Sequence, residues 1–166
     1  MEITLTRNEE FAAHIAAVSL ALKNTDYWTS RDGVFTADES GLDIHEFIAQ
    51  DAQSIGSEWA VAKALGKEFN PSLPKGKRIA DVGDDFEVKW TWRDNGRMII
   101  QEWDRITDRA IFVVGKSPHY CLKGWLPVIE ARNPQYRHAS QANWWIPQGH
   151  LLPISDIPLP DILIAN

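Results

Sequence analysis

The chain has 166 residues, of which 44% are hydrophobic and 24% are charged, with one cysteine and a formal net charge of −6. This length and composition predict a single globular domain that is large enough for a hydrophobic core. They exclude an intrachain disulfide, because Cys121 is the only cysteine, and a membrane span, because no run approaches about 18 apolar residues.

The first predicted elements are a short strand within residues 1–7 and a helix over residues 8–23. Asn8 is a suitable N-cap for this helix, and apolar residues then recur at every third or fourth position. This spacing predicts the buried face of the helix. Its members are Phe11, Ile15, Val18 and Leu22. The polar residues 24–41 predict a loop.

A second helical region is predicted over residues 42–65, with a break near 54–56 and with Gly66 as its C-cap. Glu58 lies at the edge of the apolar stripe of this helix, where a solvated side chain is the simplest interpretation. The following Pro- and Gly-containing residues 67–77 predict a loop. Its last basic residues are placed to contact a backbone phosphate, although a solvated loop explains them equally well. They are Lys75, Lys77 and Arg78.

Residues 79–92 combine turn residues with a period-2 pattern, which predicts a β-hairpin. The apolar, inward face is Phe86, Val88, Trp90 and Trp92, and the opposite face is Glu87, Lys89 and Thr91. With residues 83–85 as a three-residue loop, Asp81 lies opposite Glu87, with their Cβ atoms roughly 5 Å apart. Two facing carboxylates repel each other unless a cation lies between them, and Mg²⁺ prefers oxygen ligands. Lys89 would stand beside that cation.

Asp81 followed by Glu87-Val88-Lys89 reads D-(x)5-E-x-K and resembles the motif of the PD-(D/E)XK nuclease superfamily. The resemblance covers roughly residues 56–125 and includes a preceding helix with a glutamate, Glu58. The residue before Asp81 is an alanine, where the family name has proline. The resemblance implies an α/β (α+β) fold of restriction-endonuclease-like type, with a mixed β-sheet flanked by helices and an N-terminal helical region.

The resemblance also implies roles for individual residues. Asp81 and Glu87 would bind Mg²⁺ or Mn²⁺ through their side chains, with the backbone carbonyl of Val88 as a further ligand. Lys89 would orient a water molecule and stabilise charge on the phosphate, and Glu58 would hold a second metal ion or a metal-bound water. Gln101, in the next strand, is a candidate accessory residue, because a polar residue of that strand faces the site in some relatives.

The later elements are predicted from turns and apolar runs. Asn95-Gly96 predicts a second hairpin turn, which leads into a strand over residues 98–103. Residues 110–115 form a continuous apolar run and predict a central strand, and residues 120–129 predict another. Further on, Trp and Pro residues predict a docking tail, because proline excludes a central strand. The single domain 1–166 thus divides into a helical region (1–55), a catalytic core (56–130) and a Pro-rich tail (131–166).

The charge is unevenly distributed along the chain. Residues 1–58 contain three Lys and Arg against eleven Asp and Glu, a net charge of −8, whereas residues 59–166 contain fourteen against twelve, a net charge of +2. The acidic part would repel a phosphate backbone, and the remainder is compatible with phosphate contact. The same distribution is equally compatible with an ordinary solvated surface.

The sequence therefore predicts a Mg²⁺- or Mn²⁺-dependent nuclease that acts on DNA, resembling small enzymes of phage or mobile-element type. Two other classes stay open: a catalytically inactive nuclease-fold module that binds nucleic acid or protein, and an interaction protein whose acidic N-terminal half docks a basic partner. A homodimer and an RNA substrate also stay open. With no leader sequence and no apolar span, the sequence predicts a soluble, cytoplasmic protein. No Gly-rich phosphate loop, zinc ligand set or nucleophile elbow competes with the carboxylate site.

Overall fold

The computed structural model describes residues 1–23, 43–72 and 79–158, and these residues form both helices and strands. The helices are α1 (Arg7–Lys23), α2 (Ile44–Ala64) and the short α3 (Val128–Ala131). The strands are β1 (Glu2–Thr4), β2 (Phe86–Thr91), β3 (Met98–Gln101), β4 (Arg109–Lys116), β5 (His119–Pro127) and β6 (Asn143–Ile146). Single 3₁₀ turns lie at Pro134–Tyr136, Gln148–His150 and Ile154–Asp156. The predicted mixed α/β class is confirmed, while the predicted loop over residues 24–41 lies outside the described residues.

The described strands form two sheets. The larger sheet has the order β1-β5-β4-β2, and it is mixed because β2 runs parallel to β4 whereas the other pairs are antiparallel. The smaller sheet is the antiparallel pair β3–β6. The central position predicted for residues 110–115 is confirmed, since β4 lies between β5 and β2 and most of its side chains are buried on both faces.

Both faces of the larger sheet are covered, which creates two core clusters. On one face, residues of the sheet pack against α2, and this cluster includes Val61, Phe86, Ile111, Val113 and Leu122. On the other face they pack against the smaller sheet, and this cluster includes Met98, Ile100, Ala110, Phe112 and Ile146. Strand β2, at one edge of the larger sheet, therefore lies between α2 on one face and the smaller sheet on the other.

One prediction about strand pairing was wrong. The Asn95-Gly96 turn is present, with the Gly96 N–H donating to the Arg93 carbonyl at 2.9 Å, but it does not make β3 the hairpin partner of β2. Instead, β3 leaves the larger sheet and pairs with β6, because its apolar residues Met98 and Ile100 cover the buried face of β4. The predicted tail, residues 131–166, accordingly contains a strand, Asn143–Ile146.

The end of the described chain does dock as predicted. Leu152 forms an isolated antiparallel bridge with Trp125 of β5, and the Trp125 indole N–H donates to the Pro153 carbonyl at 3.0 Å. Ile157 is buried in the cluster beneath α2. These contacts attach residues 151–157 to the larger sheet without adding a central strand, as the prolines require.

The predicted buried face and N-cap of α1 were also wrong. The four large apolar residues predicted to be buried are 42% to 67% exposed, and the buried face consists of Ala13, Ala16, Ala17 and Ala21. Small side chains allow α1 to lie close to α2, where Ala52 and Ile55 complete the contact. The cap is Thr6 rather than Asn8. Its hydroxyl accepts from the Glu9 N–H, and the Glu9 carboxylate accepts from the Thr6 N–H.

Helix α2 is continuous through residues 54–56, where a break was predicted. Gly56 permits a close approach at this point, because a Cβ atom there would lie 2.4 Å from the hydroxyl oxygen of Tyr120. That hydroxyl donates to the Gln53 carbonyl at 3.0 Å and ties α2 to β5. The helix ends at Ala64 with Leu65 as its C-cap, one residue before the predicted cap. Gly66 follows in the left-handed conformation, with a φ of 63° and a 3.4 Å hydrogen bond from its N–H to the Lys63 carbonyl.

Candidate active site

The predicted hairpin is present as a tight turn at the start of β2. Val82 pairs with Phe86 in an antiparallel bridge around a three-residue loop, and this register places Asp81 opposite Glu87. The segment before the loop makes only this bridge rather than a full strand. Asp81 is nevertheless fixed beside β2, because its Oδ2 atom accepts a hydrogen bond from the Val88 N–H at 2.8 Å.

The pairing of β2 with β4 determines where the polar face of β2 points. Glu87 is in register with Ala110, and Lys89 is in register with Phe112, so both polar side chains project toward the smaller sheet. Phe86, Val88 and Trp90 lie on the opposite face and pack toward α2, as predicted. Trp92 does not, because it follows the last residue of β2 and is 53% exposed.

Lys89 makes two ion pairs in this position. Its Nζ atom lies 2.7 Å from Glu87 Oε1 and 2.7 Å from Asp104 Oδ2. The side chains of Lys89 and Asp104 are only 15% and 2% exposed, so the Lys89–Asp104 pair is nearly withdrawn from solvent. Asp104 was missed in the sequence, where it reads as an ordinary turn residue. Only the pairing of β3 with β6 brings it to Lys89.

Several backbone groups hold Asp104 in place. Its Oδ2 atom accepts from the Gln101 N–H at 2.8 Å, and its own N–H donates to the Gln101 carbonyl at 3.2 Å. The Arg132 guanidinium donates to the carbonyls of Gln101, Glu102 and Asp104. Gln101 therefore contributes to this cluster through its backbone, by way of Asp104.

The pKa values of Glu87 and Lys89 are both raised, but for different reasons. Burial, and then the negative charge of Asp81, raise the pKa of Glu87 from 4.5 to about 7, although Lys89 acts in the opposite direction. Burial alone would lower the pKa of Lys89, but the charges of Glu87 and Asp104 outweigh burial and raise it. Lys89 is thus held in its charged form, whereas Glu87 ionises less readily than an ordinary glutamate.

The donors around Asp81 fit a hard divalent cation. In the part of the chain that the structure describes, no group of three or more His, Cys, Asp or Glu side chains is arranged as a metal site. Two carboxylates are nevertheless a common protein contribution to a Mg²⁺ site that is completed by water and substrate phosphate. The N–H and C=O of one strand residue point to the same side of the strand, so the Val88 carbonyl faces the side on which Asp81 lies.

The remaining predicted site residues are a glutamate of α2 and three basic residues of the loop that follows it. Glu58 is buried in α2, which packs on the face of the larger sheet that carries Phe86 and Val88. Its metal-binding role stays a prediction. The predicted phosphate contacts of Lys75, Lys77 and Arg78 lie outside the described residues.

A cleft of about 290 Å³ opens beside Lys89, between β2 and the smaller sheet. Phe112 of β4 and Trp145 of β6 contribute apolar walls, and Arg93 and Arg97 line it from the turn that follows β2. Three cationic side chains therefore line the cleft, and one of them, Lys89, contacts Glu87. The sequence contains these arginines on either side of Asn95-Gly96, but only the fold directs them to the cleft.

No family model, curated protein or solved structure matches this chain significantly. The resemblance to PD-(D/E)XK nucleases thus depends on the residues of the motif themselves. Of the helices that the structure describes, none is both long enough and apolar enough to cross a membrane.

Proposed function

We propose that the protein is a divalent-metal-dependent nuclease that hydrolyses DNA phosphodiester bonds beside Asp81, Glu87 and Lys89. The observation that carries the proposal is the register of the tight turn, which sets two carboxylates opposite each other while a charged lysine contacts one of them. Two facing carboxylates repel each other, and a divalent cation between them would offset that repulsion.

The residues of the chain would act on the substrate in distinct ways. Lys89 is charged and lies at the edge of the cleft, where its ammonium group would stabilise negative charge on the reacting phosphate and orient a water molecule. Asp81 and Glu87 would hold the cation, with the Val88 carbonyl. A divalent cation at such a site neutralises phosphate charge and lowers the pKa of water. Asp104 would keep Lys89 in position.

Cleavage of end-labelled DNA with Mg²⁺ or Mn²⁺ tests the proposal, on single-stranded and double-stranded substrates. Asp81→Asn keeps an oxygen acceptor for the Val88 N–H, so it should fold and lose cleavage. Lys89→Met retains the apolar stem and should lower the rate by about 100-fold or more. The matched control is Lys123→Ala, which removes an exposed lysine from β5 and should cleave like the wild type.

Melting curves for each variant separate loss of catalysis from loss of folding. Cleavage by the wild type that is abolished by a chelator and by Asp81→Asn would support the proposal. Full activity in folded Asp81→Asn, or no cleavage of either substrate by the wild type with either metal, would refute it. Comparing the cleavage of an RNA strand of the same sequence with that of the DNA strand shows whether ribose or deoxyribose is preferred.

A second candidate function is favoured by the same ion pairs. Because Lys89 already contacts two carboxylates, the cluster can also be a structural tie between β2 and the turn after β3, in a catalytically inactive module. In that case Mn²⁺ should leave the melting temperature unchanged. Replacing Lys89 by methionine together with Asp104→Asn should then preserve every binding activity of the protein.

A further inference from the structure

An aromatic and basic surface continues from the cleft beside Lys89 along the end of β2. Trp92 is its exposed centre, with the Arg93 guanidinium carbon 5.2 Å and the Lys116 Nζ atom 4.9 Å from the centroid of its ring. Lys116 reaches this position because β4 runs parallel to β2, with Val114 in register with Thr91. A large exposed indole between two cations is a surface on which an unpaired base can stack.

The surface joins two depressions. One is the cleft of about 290 Å³ beside Lys89, and the other, of about 530 Å³, lies between α2 and Trp92. Trp90, Thr91 and Arg93 line both, so the two depressions adjoin the end of β2 from its opposite faces. The path from Lys116 past Trp92 to Lys89, which we call the track, therefore runs around the end of this edge strand.

Lys89, at one end of the track, is paired with two carboxylates, but the other cations of the track differ. Among the described residues, Arg93, Arg97 and Lys116 form no ion pair with a carboxylate. Other arginines nearby do: Arg105 pairs with Asp108, Arg109 with Asp85 and Arg137 with Glu102. Unpaired cations at spaced positions along a groove are suited to the phosphates of an extended strand.

The dimensions favour a single strand over a duplex. A cleft of about 290 Å³ is at the lower end of the range for small-molecule sites, roughly 300–1,000 Å³, and admits one nucleotide rather than a base pair. Trp145 forms one wall, and its orientation is fixed because its indole N–H donates to Asn143 at 2.8 Å and His138 packs against its ring at 4.6 Å. A rigid indole in such a cleft suits an unpaired base.

We propose that Trp92, Arg93, Arg97 and Lys116 bind single-stranded nucleic acid and lead an unpaired nucleotide into the cleft beside Lys89. This inference rests on the proposed nuclease function, because it names the substrate class of that site. A base would stack on Trp92 in place of one of the two cations, and the displaced Arg93 or Lys116 side chain would then contact the adjacent phosphate.

Binding measured without catalysis tests this inference. Fluorescence anisotropy of a labelled 12-nucleotide oligothymidylate is recorded in a chelating buffer, against a duplex of the same length. The single strand should bind more tightly. Trp92→Ala should weaken single-strand binding by about fivefold or more, as for the loss of one stacked base. Arg97→Ala should reduce the slope of log affinity against log salt by about 0.7, as for the loss of one phosphate contact.

The matched control is Phe11→Ala, because Phe11 is also an exposed aromatic residue with an arginine, Arg7, over its ring, at 5.7 Å. It lies on α1, outside the track, and should bind like the wild type. Equal affinity for duplex and single strand, or an unchanged affinity in Trp92→Ala, would overturn the inference. Binding of an acidic peptide to this surface under conditions in which the oligonucleotide does not bind would also overturn it. Binding as expected without cleavage would refute only the nuclease function.

Discussion

Replacing Glu87 by glutamine is expected to stabilise the metal-free protein at alkaline pH. The pKa of Glu87 is raised to about 7 in the folded protein by burial and by the charge of Asp81, from an ordinary value of 4.5. Between these two values the folded state binds a proton that the unfolded state has released. The free energy of unfolding therefore falls as the pH rises from about 4.5 through 7. Glutamine, which never ionises, removes this loss.

The size of the effect follows from the shift. A rise of about 2.5 pKa units corresponds to roughly 3 kcal/mol, at about 1.4 kcal/mol for each unit. The side chain is only 17% exposed, so screening by solvent reduces this figure little. At roughly 2–4 °C for each kcal/mol in a protein of this size, Glu87→Gln should melt about 6–12 °C above the wild type at pH 8.5. At pH 4.5 the two should melt within a degree or two of each other.

The assay is thermal unfolding in a chelating buffer across this pH range. Because other groups also titrate, the informative quantity is the difference in melting temperature between the wild type and the variant. Glu130→Gln, which changes an exposed carboxyl group of α3, is the control and should leave that difference flat. A wild type that is more stable than Glu87→Gln at pH 8.5 would refute the reasoning. In that case, the stabilisation of the Glu87 carboxylate by Lys89 would exceed its destabilisation by burial and by the charge of Asp81.

Three further predictions concern the same elements. Mn²⁺ should raise the melting temperature of the wild type and have a smaller effect on Asp81→Asn, whose metal-free form should be slightly more stable than the wild type. Lys89→Ala should destabilise the protein by about 3–5 kcal/mol in chemical denaturation, because it leaves Asp104 as a buried, unpaired charge. Adding Asp104→Asn should restore part of that loss, because it removes this charge. Gly56→Ala should cost about 1–3 kcal/mol through overlap with a tyrosine of β5, whereas Gly149→Ala, with open space around it, should be neutral in the same measurement.

Local sequence patterns predicted an element correctly where all side chains on one of its faces have the same surroundings. The apolar run of β4 predicted a central strand because both of its faces are covered, and the alternation in β2 predicted its two faces correctly up to Trp90. The apolar periodicity of α1 failed because its burial is decided by how closely two helices can approach. Its alanine face packs against α2, and the larger apolar residues, such as Phe11 and Ile15, are left exposed.

Some residues of the candidate site could likewise be predicted from the local sequence, whereas others could not. Asp81, Glu87 and Lys89 lie within nine residues, so a single turn length sufficed to predict that the two carboxylates face each other. Asp104 could not be predicted, because it reaches Lys89 only after β3 has left the larger sheet to pair with β6. Arg97 needed the same information, since the smaller sheet forms the far wall of the cleft.

The two carboxylates on Lys89 are suited to different tasks. Glu87 lies opposite Asp81 and has a raised pKa, so its contact with the lysine is readily exchanged for a proton or a cation. Asp104 is almost fully buried and is held by the backbone of Gln101, so its contact persists when Glu87 turns away. An ammonium held by one permanent and one exchangeable partner keeps its position while it contacts a phosphate. With Asp104 alone, Lys89 would be a structural tie; under the proposed nuclease function, the exchangeable contact with Glu87 is what would free Lys89 to contact a phosphate.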